Sequence, residues 1–272
     1  MKKRFKLFCF GFGQVAKYFV KNILKKNYDF DLVTTNTEKT KFKSFNTLKY
    51  KSYYFLNNKF DKDLLKELNT SNKVLISISP KYSTDLVLKN FSGNLKNKNY
   101  DWVTYLSATS VYGDKKGKWV NENTNPRPSS TRGRARLKAE NEWLQLYKKY
   151  KLPIQIFRLS GIYSTENNII KRLRMGTHKI VKKNNHFFSR IHVEDIAEIL
   201  CLSLSKINPG NIFNISDDYP CSNYEITKYA SDLINTEIPK TIVTKDIKDT
   251  MIKEFYKDSK KVDNKKMKEF FN

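Results

Sequence analysis

Short apolar runs alternate with amphipathic stretches through the first 160 residues. Runs rich in Val, Ile, Leu and aromatic side chains predict strands over 6–10, 31–35, 50–55, 73–78, 102–106 and 154–159. Between them, apolar residues recur at helical spacing over 14–25, 62–68, 83–90 and 134–149. Strand–helix alternation of this kind predicts an α/β fold, a doubly wound parallel sheet covered by helices on both faces. Its right-handed crossovers place ligands at the carboxyl ends of the strands. After residue 159 the pattern loosens, with helices expected over 169–175, 193–204, 224–234 and 265–271 and a strand over 211–215. No Pro/Gly/Ser-rich linker and no internal repeat divides the chain. Residues 1–160 therefore read as one region, and 161–272 as a smaller substrate-binding lobe integrated with the same sheet.

The turn after the first strand reads Gly11-Phe12-Gly13-Gln14-Val15-Ala16. It fits the G-x-G-x-x-G/A fingerprint of a Rossmann-like dinucleotide site. Gly11 permits the tight turn, Gly13 lets the backbone approach a pyrophosphate, and Ala16 lets the helix pack close to the strand. The helix that starts at Gln14 and Val15 then offers unpaired N–H groups to the phosphates. The second strand ends Val33-Thr34-Thr35-Asn36-Thr37-Glu38-Lys39. An acid there would bond the NAD ribose and repel the extra phosphate of NADP. Asn36 holds the place instead, with Lys39 close behind, so NADP is expected in preference to NAD. Glu38 is the residue that argues the other way.

Polar side chains gather at the mouths of later strands. Ser77 and Ser79 follow the fourth strand, and Ser107, Thr109, Ser110 and Tyr112 follow the fifth. Ser107 and Thr109 share a face by strand alternation. All nine arginines except Arg4 fall between residues 127 and 190, in a chain that carries 43 lysines. Where lysine is so favoured, arginine points to sites that use its planar fork on carboxylate or phosphate. Arg132 and Arg136 lie four apart, so a helix sets both on one face. Cations at a helix start oppose its dipole, which favours an anionic partner there. The alternative reading is a solvated helix start whose arginines balance Glu140 and Glu142.

The glycine turn, Val111-Tyr112-Gly113, Arg158-Leu159-Ser160-Gly161-Ile162-Tyr163 and Arg190-Ile191-His192-Val193-Glu194-Asp195 occur in a consistent order. Together they resemble an atypical or extended short-chain dehydrogenase/reductase of the NAD-dependent epimerase/dehydratase family. Tyr112-Gly113-Asp114, Trp119-Val120-Asn121-Glu122 and the 132–136 arginines are most similar to its YeeZ-like branch. The resemblance implies cofactor contacts at Ser77 and Ser79, while Arg158 and Ser160 end a strand on the ligand side and are expected to meet nicotinamide or substrate. In that family a Ser or Thr three residues before the Val of Val-Tyr-Gly works with a Tyr-x-x-x-Lys pair. This chain has Ala108, Arg132 and Arg136 at those positions. Arginine cannot shuttle a proton near neutrality. Ser107, Thr109, Tyr112, Arg132 and Arg136 thus remain as catalytic candidates, the arginines as anion clamps or oxyanion stabilisers. His192 reads first as the organiser of a helix start, Asp195 as a helix-end residue, and Asn167, Arg172 and Arg174 as groups that reach substrate or solvent.

The net charge of +25 invites a nucleic-acid partner. However, the lysines are scattered through every segment and no nucleic-acid-binding motif accompanies them, so that partner is not expected. No apolar run is long enough to span a bilayer, and the basic start Met1-Lys2-Lys3-Arg4 is followed too soon by polar residues for a secretory signal. Cys9, Cys201 and Cys221 are widely spaced, with no metal-ligand pattern, as in a cytoplasmic protein with reduced thiols. The expected function is that of an NAD(P)-dependent oxidoreductase or epimerase/dehydratase-like enzyme, acting on a small polar carbonyl or a nucleotide sugar. A catalytically silent NAD(P)-binding sensor is the alternative. Homodimers paired through outer helices are common in the resembling family.

Overall fold

The computed structural model describes residues 4–81, 83–243, 253 and 256–272; the basic residues Met1 to Lys3 lie outside them. β1 (Phe5–Phe10) leads into α1 (Gln14–Lys25) and β2 (Phe30–Asn36), followed by β3 (Lys41–Phe45), β4 (Leu48–Leu56) and the short β5 (Lys59–Phe60). α2 (Asp63–Thr70), β6 (Lys73–Ile76), α3 (Leu86–Lys96) and β7 (Trp102–Ala108) come next. Beyond a tight helical turn at Thr109–Tyr112 lie β8 (Trp119–Val120), α4 (Thr131–Tyr150) and β9 (Ile154–Leu159). The remaining elements are β10 (Gly161–Tyr163), α5 (Ile169–Arg174), β11 (Ile180–Lys182), β12 (Arg190–His192) and α6 (Val193–Ser203). They end with β13 (Ile212–Ile215), α7 (Asn223–Leu233), β14 (Thr241–Val243), β15 (Lys261–Val262) and α8 (Lys265–Phe271).

One large sheet runs in the order β13-β9-β7-β6-β1-β2-β4-β3, with β5 paired to β4. From β13 to β4 every neighbour is parallel. The order reverses at β1, which lies between β2 and β6, so the crevice for a ligand opens beyond the carboxyl ends of β1 and β6. Strand alternation divides the core. Leu7 and Cys9 face α1 and α6, while Phe8 and Phe10 face α2, α3 and α4. On α1, Ala16, Phe19, Val20 and Ile23 form one stripe that is fully buried. Each large apolar side chain in that stripe contributes roughly 1.5–3 kcal/mol by leaving water.

Two departures from the sequence pattern shape the ligand crevice. No helix joins β2 to β4; the chain makes β3 instead, which turns at Asn46 (φ +51°) and pairs antiparallel with β4. Its Lys-Phe-Lys-Ser-Phe sequence has no apolar run to announce a strand, and its lysines suit an exposed sheet edge. The helix expected from residue 83 begins at Leu86, because the Asp85 carboxylate accepts from the N–H groups of Val87 (2.9 Å) and Leu88 (3.0 Å).

The C-terminal part joins the sheet through β13 and otherwise forms local parallel pairs, β10 with β12 and β11 with β14. β15 pairs with β8, and α8 packs on β13, which brings the C-terminal residues back beside the mouth of β7. Among the described residues no helix is long and apolar enough to cross a membrane. Cys9, Cys201 and Cys221 are buried, and no disulfide joins them.

Candidate functional site

The glycine turn is fixed from two sides. Gly11 has φ +83°, and a Cβ on it would come within 2.6 Å of Ile78 Cγ2, so only glycine fits. Its N–H donates to Thr35 Oγ1 at 2.8 Å, from the end of β2. Ser77 Oγ donates to the carbonyls of Phe10 (3.0 Å) and Gly11 (3.2 Å), from the end of β6. Gly13, by contrast, begins α1 with open space where its Cβ would be. Asp85, Ser130, Asn168 and Ser222 cap α3, α4, α5 and α7 with their side chains. α1 has neither a side-chain cap nor an acid in its first turn. Its first N–H groups point at whatever anion occupies the crevice.

That crevice is a pocket of about 750 Å³ whose wall includes Gly11, Gly13, Asn36 and Ser79. Lys17, Lys43 and Lys81 also line it, and no acidic residue does so among the described residues. Phe12 packs against Phe45 (ring centroids 5.5 Å apart) and Tyr50 (5.2 Å), which gives the pocket an aromatic floor. Asn36 holds the loop after β2: its Nδ2 donates to Ser52 Oγ (2.5 Å) and its Oδ1 accepts from the Glu38 N–H (2.6 Å). Glu38 is paired with Lys41 (2.6 Å) and Lys43 (3.4 Å), and these hold its carboxyl below the usual carboxylate range, Lys41 foremost. Lys39 and Ser77 are not part of the pocket wall.

The strand mouths hold a second construction. Ser107 on β7, Arg158 on β9 and Asn214 on β13 stand in one register row. Glu140 of α4 reaches into this row. Its carboxylate accepts from Ser107 Oγ (2.5 Å), from Arg158 Nε (3.1 and 3.2 Å) and from Arg158 Nη2 (2.7 Å). The Tyr112 ring covers the guanidinium at 4.8 Å and its hydroxyl donates to Asn214 Oδ1 at 2.8 Å. Asn214 is held in turn by Glu122, which accepts its N–H at 2.7 Å, and by the Asp263 carbonyl at 3.1 Å. Burial works against the Arg158 charge, but Glu140 more than offsets it, so the guanidinium pKa lies above its ordinary value. Burial pushes the Tyr112 phenol up, against the pull of Arg158.

Ser107, Tyr112 and Arg158 are thus brought together, but beneath the surface of the mouth. Arg136 sits nearer the crevice and uses both arms of its fork, on Leu106 O (3.0 Å) and Ser79 Oγ (2.7 Å). Arg132 is exposed and meets no described residue by hydrogen bond or ion pair. Thr109 is half-buried at the exit of β7, and Ser160 keeps a buried hydroxyl with no partner among the described residues. Gln14 Nε2 donates to Ser164 Oγ (2.8 Å), which joins the start of α1 to the C-terminal lobe, while Val15 is half-buried beside it. In that lobe Arg172 donates to Asn167 Oδ1 (3.2 Å), and Arg190 donates to Phe188 O (3.2 Å) and Cys221 Sγ (3.3 Å). The His192 ring lies tilted against Tyr163, with centroids 5.1 Å apart, and Asp195 stands in the first turn of α6.

A mostly parallel sheet in this order, with a glycine turn after its first strand and a polar mouth at β7, defines a Rossmann-like α/β fold. Residues 94–216 match the family model described as "NAD dependent epimerase/dehydratase family". The chain is similar to a dTDP-D-glucose 4,6-dehydratase of Dictyostelium discoideum, 24% identical over 155 residues, covering 49% of this chain and 35% of the relative. It is also similar to the Homo sapiens protein of the same name, 26% identical over 138 residues, with 48% and 39% covered. The matches span little more than a third of those relatives' own length. Among solved structures, a functionally unknown conserved protein from Silicibacter pomeroyi DSS superposes with TM-score 0.84 at 28% identity, over 98% of this chain and 92% of that one. A UDP-glucuronic acid 4-epimerase from Bacillus cereus in complex with NAD shares the fold with TM-score 0.78 at 17% identity, over 98% and 92%.

Several residues of the site carry no signal of their own in the sequence. Glu140 reads as a surface acid that balances α4's arginines, yet it is buried and its partner is Arg158. The signal was its position one turn past Arg136, on the same stripe as the buried Trp143. Lys43 belongs to a strand that hydropathy does not mark, and Asn214 lies within an otherwise apolar β13.

Proposed function

We propose that the chain binds a nicotinamide dinucleotide, NADP(H) in preference to NAD(H). With it the chain acts as an oxidoreductase or epimerase/dehydratase-like enzyme on a small polar carbonyl or nucleotide-sugar substrate. One observation carries this reading: the uncapped start of α1 opens on a pocket with three lysines and no acid in its described wall. Such a site fits a pyrophosphate, and Gly13 leaves it room to approach. The names of the matched relatives support the nucleotide-sugar class.

A bound dinucleotide would supply a hydride donor or acceptor. The chain's own residues then divide the remaining work. Gln14 and Val15 offer N–H groups to the phosphates. Asn36 and Ser79 shape the adenosine and central parts of the pocket. Arg136 ties the exits of β6 and β7 into one edge. Arg132, with its fork free, holds an anionic group or a developing oxyanion at the mouth, and Thr109 offers a half-buried hydroxyl at the exit of β7. Ser107, Tyr112 and Arg158 keep the mouth in shape through Glu140 and Asn214.

Separate titrations with NADPH and NADH at physiological salt, read by tryptophan quenching and calorimetry, test the binding half. Absence of binding to either sinks it. Hydride exchange in wild type, Arg132→Ala and Arg136→Ala tests the chemical half, and full turnover in both variants would refute the arginine roles. The missing Tyr-x-x-x-Lys pair and the internal hydrogen bond of Tyr112 favour a second reading, a silent dinucleotide sensor. Tight binding without hydride exchange on any carbonyl would select it.

A further inference from the structure

The adenosine end of the pocket is walled by a hairpin where a doubly wound sheet ordinarily places a helix. Across that hairpin Lys43 pairs with Tyr50, and Lys41 with Ser52, which neighbours Thr34 on β2. Lys43 and Phe45 alternate onto one face, both half-buried, and both line the pocket with Ser44 and Thr37 between β2 and β4. Phe45 packs edge-on to Phe12 of the glycine turn, so the hairpin is docked on the same turn that faces the pyrophosphate. Glu38, the one acid near the end of β2, is turned to Lys41 and Lys43, and its backbone N–H is fixed by Asn36.

We infer that Lys43, presented by the β3–β4 hairpin beside Ser44 and Thr37, heads a subsite for a phosphate monoester on the adenosine ribose. This is the group that separates NADP from NAD, and the inference rests on the dinucleotide reading above. The geometry suits an exchange of partners. A dianionic phosphate takes Lys43 from Glu38, while Glu38 keeps its shorter pairing with Lys41, so no charge is stranded. Without the phosphate, Glu38 holds Lys43 and the subsite adds nothing to binding.

The test titrates NADPH, NADH, 2′,5′-ADP and 5′-ADP against wild type, Lys43→Ala, Lys43→Arg and Lys39→Ala at about 0.15 M salt, where exposed charges are screened as in the cell. Wild type is expected to bind the two 2′-phosphorylated compounds at least about tenfold tighter than their counterparts. Lys43→Ala should lose about ten- to a hundredfold for those two, as expected for one charge-assisted contact, and stay within about twofold for NADH and 5′-ADP. Lys43→Arg should keep the preference. Thermal melts identify any misfolded variant, for which Lys43→Gln is the substitute. A wild type that binds both dinucleotides alike overturns the subsite, as does equal loss for all four ligands. Loss produced by Lys39→Ala instead of Lys43→Ala overturns it as well, by moving the contact to the turn after β2. Failure of wild type to bind any of the four is a separate result, and it removes the dinucleotide site itself.

Discussion

Replacing Glu140 by alanine should be among the most damaging single changes in this protein. Glu140 and Arg158 are 1% and 3% exposed, so neither charge has water to fall back on. Removing one partner of a buried pair costs about 3–5 kcal/mol, because the survivor stays buried without its counter-charge. Ser107 also loses its acceptor, at roughly 1 kcal/mol. Arg158 already has one buried nitrogen, Nη1, with no partner among the described residues, so it has little nearby to turn to. The expected loss of about 4–6 kcal/mol is a large share of a typical total of about 5–15 kcal/mol. With a urea slope of about 2–3 kcal/mol/M, the midpoint should fall by roughly 1.3–3 M. Urea unfolding at pH 7 read through tryptophan emission measures it, since Trp143 lies fully buried on the same helix. The paired change Glu140→Leu with Arg158→Met should recover at least half the loss, because it leaves no lone charge. A loss under about 1 kcal/mol for Glu140→Ala, or a double change whose losses simply add, would refute the account of a coupled buried pair.

Three further outcomes follow from local geometry. Gly13→Val should cost about 1 kcal/mol or less in stability, since its Cβ meets open space at a backbone valine can adopt. It should nevertheless weaken NADPH binding by more than about tenfold by filling the phosphate approach, so calorimetry and melting together decide the point. Gly113→Ala, at φ +67° and with a Cβ 1.9 Å from Arg127 O, should lose about 2–3 kcal/mol in urea unfolding; a neutral result would mean that the Val-Tyr-Gly turn is free to move. Burial raises the Asp217 carboxyl to about 6, with Arg190 opposing, against about 3.9 when unfolded. The fold therefore favours its neutral form. That contribution is fully present below about pH 4 and is lost as pH rises through 6, so Asp217→Asn should match wild type near pH 4 and exceed it by up to about 2–3 kcal/mol at pH 7. A gap in thermal stability that does not widen between those pH values would remove burial as the cause.

Hydropathy period carried the parallel sheet because both of its faces are buried, which makes each strand a short, dense apolar run. β9 and α1 lie where the pattern puts them to the residue, since Ile154–Leu159 and Gln14–Lys25 are bounded by polar or turn-forming neighbours. β3 was invisible for the opposite reason: an edge strand with one solvated face and two lysines has no apolar signature. The short pairs of the C-terminal lobe, such as β10 with β12, are set by tertiary contact more than by local preference. At the site, residue type was legible and partnership was not. The arginine cluster marks the right window, but nothing in the sequence tells that Arg158 turns inward to Glu140 while Arg132 stays outside. Those assignments depend on the register of β7, β9 and β13, and one residue of slip would reverse the face of each.

The use of the two basic residue types makes the exposed arginine harder to dismiss. Lysines in this chain reach backbone carbonyls as point donors, as Lys260 does for Gly113 (3.1 Å), Lys266 for Ile212 (2.9 Å) and Lys73 for Leu204 (3.3 Å). Arginine stands where a planar fork must reach two ways: Arg158 to both oxygens of Glu140, Arg136 to β6 and β7, Arg134 to Ser129 O and Thr131 Oγ1. Arg132, like the exposed Arg127 and Arg174, has no side-chain partner among the described residues, but of the three it alone occupies the first turn of α4, where the helix dipole opposes its charge. Within the described fold nothing gives a reason to set a guanidinium against that dipole. An anionic substrate would supply one, by giving Arg132 the two-point contact that Arg134, Arg136 and Arg158 find inside the fold.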